Sequence, residues 1–104
     1  MIRARYGRRS LTLELRGHAM SAPKGEDTVC AAASILAFTA AEALRNESER
    51  FYPRVVTRPG EMRIACEPQS GSRKACRRLL DTIWIGFELL ARDCPGFVSA
   101  EKED

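Results

Sequence analysis

From Ile2 to Leu15 the apolar side chains fall on alternate residues, with one interruption. Ile2, Ala4 and Tyr6 alternate with Arg3 and Arg5, and Leu11, Leu13 and Leu15 alternate with Thr12, Glu14 and Arg16. A period of two puts one face of a strand on a core and the other in water. The interruption, Gly7-Arg8-Arg9-Ser10, is too short for a crossover, so the two strands are predicted to pair as an antiparallel hairpin. Gly17 ends the second strand and leaves His18 at its edge.

The period then changes. Val29, Ala33, Leu36, Ala40 and Leu44 recur at helical spacing. Asp27 is a good N-cap for that helix, which puts Thr28, Val29 and Cys30 in its first turn and ends near Asn46. Its many alanines make it slim enough to lie close to a sheet or another helix. Glu47 to Arg50 either extends or ends it. Tyr52–Thr57 reads as a third strand, Arg58-Pro59-Gly60-Glu61 as a turn, and the alternation of Met62, Ile64 and Cys66 as a fourth strand. After the break at Pro68–Gly71, Ser70 or Ser72 can cap a second helix. Leu79, Leu80, Ile83, Trp84, Phe87, Leu90 and Ala91 mark its buried stripe, while Arg73, Lys74, Arg77, Arg78 and Asp81 are predicted to face water. Gly86 inside that stripe costs roughly 1 kcal/mol against alanine unless close packing compensates. Pro95-Gly96 stops the helix, Phe97–Ala100 forms a short fifth strand, and the acidic end EKED is predicted to fray. The order β-β-α-β-β-α-β predicts a two-layer α+β domain over residues 1–104, with a mainly antiparallel sheet and two helices packed on it.

The chain carries 17 Lys and Arg against 14 Asp and Glu, a net charge of +3. The cations lie in the first hairpin and at Arg73–Arg78, which favours an acidic or ribosomal partner but does not by itself require nucleic acid. The start has positive charge with no apolar run behind it, so no signal peptide is expected. No run of about eighteen apolar residues exists, so no spanning helix and no membrane partner are expected. A cytoplasmic chain keeps its cysteines, at 30, 66, 76 and 94, reduced. Their irregular spacing and the single histidine argue against zinc, and no cofactor is expected. Cys66, Cys76 and Cys94 read as core residues.

Cys30 and His18 stand apart. A thiol near a helix start meets unpaired amides and the positive end of the dipole, both of which favour the thiolate. An imidazolium beside it adds to this, and such surroundings bring cysteine pKa values to ~3.5–7.5. Amides around Cys30 could hold an oxyanion, a contribution of about 3–4 kcal/mol per donor. Ser34 shares the helix face of Cys30 and can bond either the thiolate or the carbonyl one turn back. Asp27 can orient His18 or simply cap the helix. Between the dyad residues runs a segment predicted to be a mobile loop: Ala19, Met20, Ser21, Ala22, Pro23, Lys24, Gly25 and Glu26.

These residues make the chain recognisable. Gly17, His18, Ala19, Gly25, Asp27, Val29, Cys30, Ala31, Ala32 and Ser34 resemble the signature of the bacterial ribosomal-processing cysteine protease family, Prp or YsxB-like. Met20, where the family often has glycine, and Pro23 depart from it. The resemblance implies a cysteine endopeptidase with Cys30 as nucleophile and His18 as general base. It implies a homodimer that removes the N-terminal extension of a large-subunit ribosomal protein precursor. A different reading of the basic surplus is a non-catalytic ribosome-associated binding module.

Overall fold

The structure, a computed structural model, describes the backbone of residues 1–17 and 24–104, and the side chains of all of these except 24–27. The elements are β1 (Ile2–Gly7), β2 (Thr12–Arg16), α1 (Lys24–Arg45), a single turn α2 (Ser48–Phe51), β3 (Pro53–Arg58), β4 (Glu61–Cys66), α3 (Arg73–Asp93) and β5 (Val98–Glu103). The five strands form one sheet in the order β3-β4-β2-β1-β5. The pairs β1–β2, β2–β4 and β3–β4 are antiparallel, as the short connections require. β5 joins β1 in parallel, because α3 carries the chain back to the edge from which it runs alongside β1.

The period-two residues land where the pattern puts them. Ile2, Ala4, Tyr6, Leu13, Met62, Ile64, Cys66 and Val98 share one buried cluster with Ala33, Ala37, Ala40 and Leu44 of α1 and Leu80, Trp84 and Phe87 of α3. Both long helices therefore cover one face of the sheet. The opposite face carries charged residues such as Arg3, Arg5, Glu14, Arg16 and Arg63. By length and composition the stretch Thr28–Arg45 could cross a membrane, contrary to the sequence expectation. Here its alanine face is the inner wall of the core.

Close packing does compensate for Gly86. A Cβ there would sit 2.5 Å from Leu36 Cδ2, so the glycine lets α1 and α3 approach. Leu11, expected to open the second strand, is instead a turn residue with φ 59°, and β2 begins at Thr12. Its side chain is wholly buried, and that burial offsets the cost of the left-handed backbone. Ser72, at the N-cap position of α3, makes no side-chain capping bond; its Oγ accepts from Arg50 Nε at 3.2 Å.

Two expectations about charge are corrected. The EKED end does not fray from its first residue: Glu101, Lys102 and Glu103 belong to β5, where Arg5 pairs with both glutamates. Backbone pairing to β1 holds them in place whatever their polarity. Asp81, expected to face water, accepts a hydrogen bond from the buried Tyr6 hydroxyl (2.8 Å) and an ion pair from Arg8 (3.0 Å). Partial burial pushes the Asp81 carboxyl up, but the bonds from Arg8 and Tyr6 outweigh it and hold it below the ordinary value. Burial, then the bond to Asp81, pushes the Tyr6 hydroxyl up.

A carboxylate so depressed stabilises the fold above its unfolded pKa, near 4, and the contribution is lost as pH falls through the folded value. Tyr6→Phe is therefore expected to cost about 1.5 kcal/mol at neutral pH, and much less once Asp81 is protonated. Urea unfolding of both proteins at neutral and at acid pH measures this. An equal loss at both would show that the carboxylate is not the source.

Candidate active site

Cys30 lies on α1 and is half-buried, at the wall of a cavity of about 160 Å³ between α1 and the end of the sheet. Ser34 and Phe38 follow it into the same wall, one and two turns on, as a stripe of spacing four requires. Gly17 and Leu15 of the β2 exit, Thr57 and Arg58 of β3, and Glu61 and Met62 of β4 line the other sides. The cavity thus gathers a thiol, two hydroxyl residues (Ser34 and Thr57), an aromatic ring, one cation and one carboxylate over a mostly apolar floor.

Gly17 is held hard in this wall. Its N–H donates to the Gly60 carbonyl at 2.9 Å, which ties the β2 exit to the β3–β4 turn. Its φ is +99°, and a Cβ added to it would lie 2.2 Å from the Met1 carbonyl oxygen. Pro59 and Gly60, the latter at φ 73°, occupy the central places of that turn, as expected for Pro-Gly. The residue immediately before His18 is therefore fixed by backbone contacts at the edge of the Cys30 cavity.

His18 and the segment Ala19, Met20, Ser21, Ala22 and Pro23 lie outside the described residues. The structure corrects the rest of the predicted loop: Lys24, Gly25 and Glu26 form the first turn of α1. Asp27 is the fourth residue of the helix and does not hold the N-cap position, and Cys30 is the seventh. The dipole falls off within the first turn, and only the first four amides of a helix lack partners within it. The expected activation of Cys30 by free amides therefore does not hold, nor does an oxyanion site built on its own N–H. Capping propensity placed the helix start at Asp27, whereas propagation from the alanine-rich segment carries the helix about one turn further back.

The other three cysteines are core residues or nearly so, and none of the four is bridged. Cys66 and Cys76 are buried, and the hydrogen bond to Cys76, with burial, pushes the Cys66 thiol far up. That thiol is kept protonated and sealed, while Cys30 borders open space. No group of three or more metal-ligating side chains exists among the described residues.

Sequence reasoning missed Phe38, Thr57, Arg58 and Glu61 as parts of the site. For Phe38 a signal was present: it stands eight residues after Cys30 and four after Ser34, on the same helix face. For the hairpin residues there was none, since their place depends on the β2–β4 pairing.

The family model described as Cysteine protease Prp matches residues 1–99. No curated protein matches the chain in a sequence search. Among solved structures, SMU.848 from Streptococcus mutans is similar, with 27% identity, a TM-score of 0.75, and coverage of 98% of this chain and 93% of that one. The essential ribosomal processing protease Prp from S. aureus matches in two complexes, one with a covalently linked product peptide and one with a substrate peptide. Their identities are 16% and 15%, each with a TM-score of 0.76 and coverage of 98% of this chain and 97% of the other. At those identities the two complexes show the shared fold.

Proposed function

Because the chain belongs to the Cysteine protease Prp family, we propose that it is the endopeptidase that removes the N-terminal extension of a large-subunit ribosomal protein precursor. Cys30 is the nucleophile in this reading. Its thiolate attacks the scissile carbonyl, His18 takes the thiol proton and returns it to the leaving amine, and water hydrolyses the acyl-enzyme. The observation that carries the proposal is the cavity in which half-buried Cys30 meets Gly17, the residue preceding His18. Ser34 adds a hydroxyl one turn from the sulfur. The substrate is argued by likeness: the S. aureus protease of the same fold is a ribosomal processing enzyme seen with substrate and product peptides.

The homodimer and the cytoplasmic location belong to the same reading. Ile35 on α1 and Ile85 and Leu89 on α3 are exposed apolar side chains on two helices that pack together. Such a surface suits a second copy of the chain.

The test is alkylation by iodoacetamide, followed at each cysteine by mass spectrometry. Cys30 is expected to react well below pH 8 and faster than Cys66, Cys76 and Cys94, and to slow about tenfold or more in His18→Ala. Equal, slow labelling of all four cysteines, unchanged in the variant, would overturn the dyad.

A further inference from the structure

The end of the molecule opposite the Cys30 cavity has a use that proteolysis does not explain. The β1–β2 turn brings Arg8 and Arg9 against the first turns of α3. Arg73 Nη2 donates to the Arg9 carbonyl at 2.6 Å, and Arg77 Nε donates to the Arg8 carbonyl at 3.2 Å. Lys74 and Arg78 stand exposed on the same two turns. Six cations from two distant parts of the sequence thus meet in one place.

Little offsets their charge. Asp81 is committed to Arg8 and Tyr6, and Asp104 also acts on Arg8 from the β5 side. Arg9, Arg73, Lys74, Arg77 and Arg78 have no ion-pair partner among the described residues. The carbonyls that hold Arg73 and Arg77 are neutral, so they fix the two guanidinium groups without cancelling their charge. The arrangement also costs the helix something. α3 has no acidic residue in its first turn and carries Arg73 and Lys74 there, the reverse of what the dipole favours. A chain with a net charge of only +3 has gathered five uncompensated cations at one end.

We propose that this basic end docks the phosphate backbone of an RNA strand. Four of the five free cations are arginines, whose planar donor fork matches phosphate oxygens better than an ammonium does. Carboxylates fit the same fork, so the choice of a phosphate chain over an acidic protein segment rests on the proposed ribosomal role, and competition by polyglutamate separates the two. The choice of RNA over DNA rests on the proposed ribosomal substrate; the phosphate chemistry does not. The cavity lies about a strand's length away, roughly 17 Å, past β2. An enzyme held on RNA by this end would keep its site open to a protein tail.

Fluorescence anisotropy with a labelled single-stranded RNA tests the proposal without reference to proteolysis. Binding is expected to weaken steeply with salt, as counterion release requires. The combined variant Arg9→Gln/Lys74→Gln/Arg78→Gln removes three exposed cations whose side chains make no hydrogen bond among the described residues. It is expected to bind about tenfold or more weakly at fixed salt, with cleavage of a free precursor peptide unchanged. Arg3→Gln/Arg54→Gln/Arg63→Gln removes the same charge from the open sheet face and is expected to lose far less. Equal losses in the two variants would reduce the effect to net charge and overturn the site, as would no RNA binding by the wild-type chain. Displacement of RNA by polyglutamate at equal charge concentration would overturn it in favour of an acidic protein partner. Cleavage of the free peptide by the wild-type chain is scored separately, so failure of the protease reading and failure of RNA docking are told apart.

Discussion

In the proposed mechanism Cys30→Ala is expected to abolish precursor cleavage, lowering the rate about 1,000-fold or more, as loss of a covalent nucleophile does. The fold is expected to survive. Cys30 is half-buried at a cavity wall, so truncating it enlarges an existing space and opens no sealed one. Alanine is also the better helix former. The net change in stability should stay within about 1 kcal/mol. Cleavage followed by mass spectrometry, alongside urea unfolding, separates the two effects. A folded variant that keeps more than about a tenth of the wild-type rate would mean that another group attacks the peptide.

The second large effect is expected away from the sulfur. Gly17→Ala forces an L side chain onto a φ of +99° and drives its Cβ to 2.2 Å from a backbone oxygen of Met1. Neither atom belongs to a flexible side chain, so the start of β1 or the exit of β2 must move. Strain of that kind costs about 2–3 kcal/mol. A shift at Gly17 also disturbs its bond to the Gly60 carbonyl and hence the hairpin wall that holds Arg58 and Glu61. In the proposed mechanism it displaces the residue that leads into His18, and a misplacement of about 1 Å can cost ~100-fold in rate. Gly17→Ala should therefore lose both stability and cleavage, whereas Tyr6→Phe should lose stability alone. Full cleavage activity at a temperature where the variant remains folded would show that this wall does not position the reacting groups.

The sheet was largely legible because a period-two pattern with one wet face admits little else. Ile2-Ala4-Tyr6 and Met62-Ile64-Cys66 named their own faces, and the two short turns dictated antiparallel pairing. The helix boundary at Asp27 was misread because capping propensity is local, while the true start is decided by how far an alanine-rich helix propagates. Leu11 was misread for the opposite reason: burial of its side chain overrode a backbone preference. Within the site, Cys30 and Ser34 could be placed on one face by counting, and Phe38 could have been.

Residue types and their periods determined the strands, the helices and the one thiol that follows a Gly-His pair by twelve residues and opens a run of alanines. They could not say which strand neighbours which, because that follows from how the faces pack and not from any local interval. Only the tertiary structure set the Arg58–Glu61 turn opposite Cys30, joined β5 to β1 through a charged segment, and drew Arg9 and Arg78 to the same end. Contacts between residues distant in sequence make those decisions, and their free energy exists only once the core has formed.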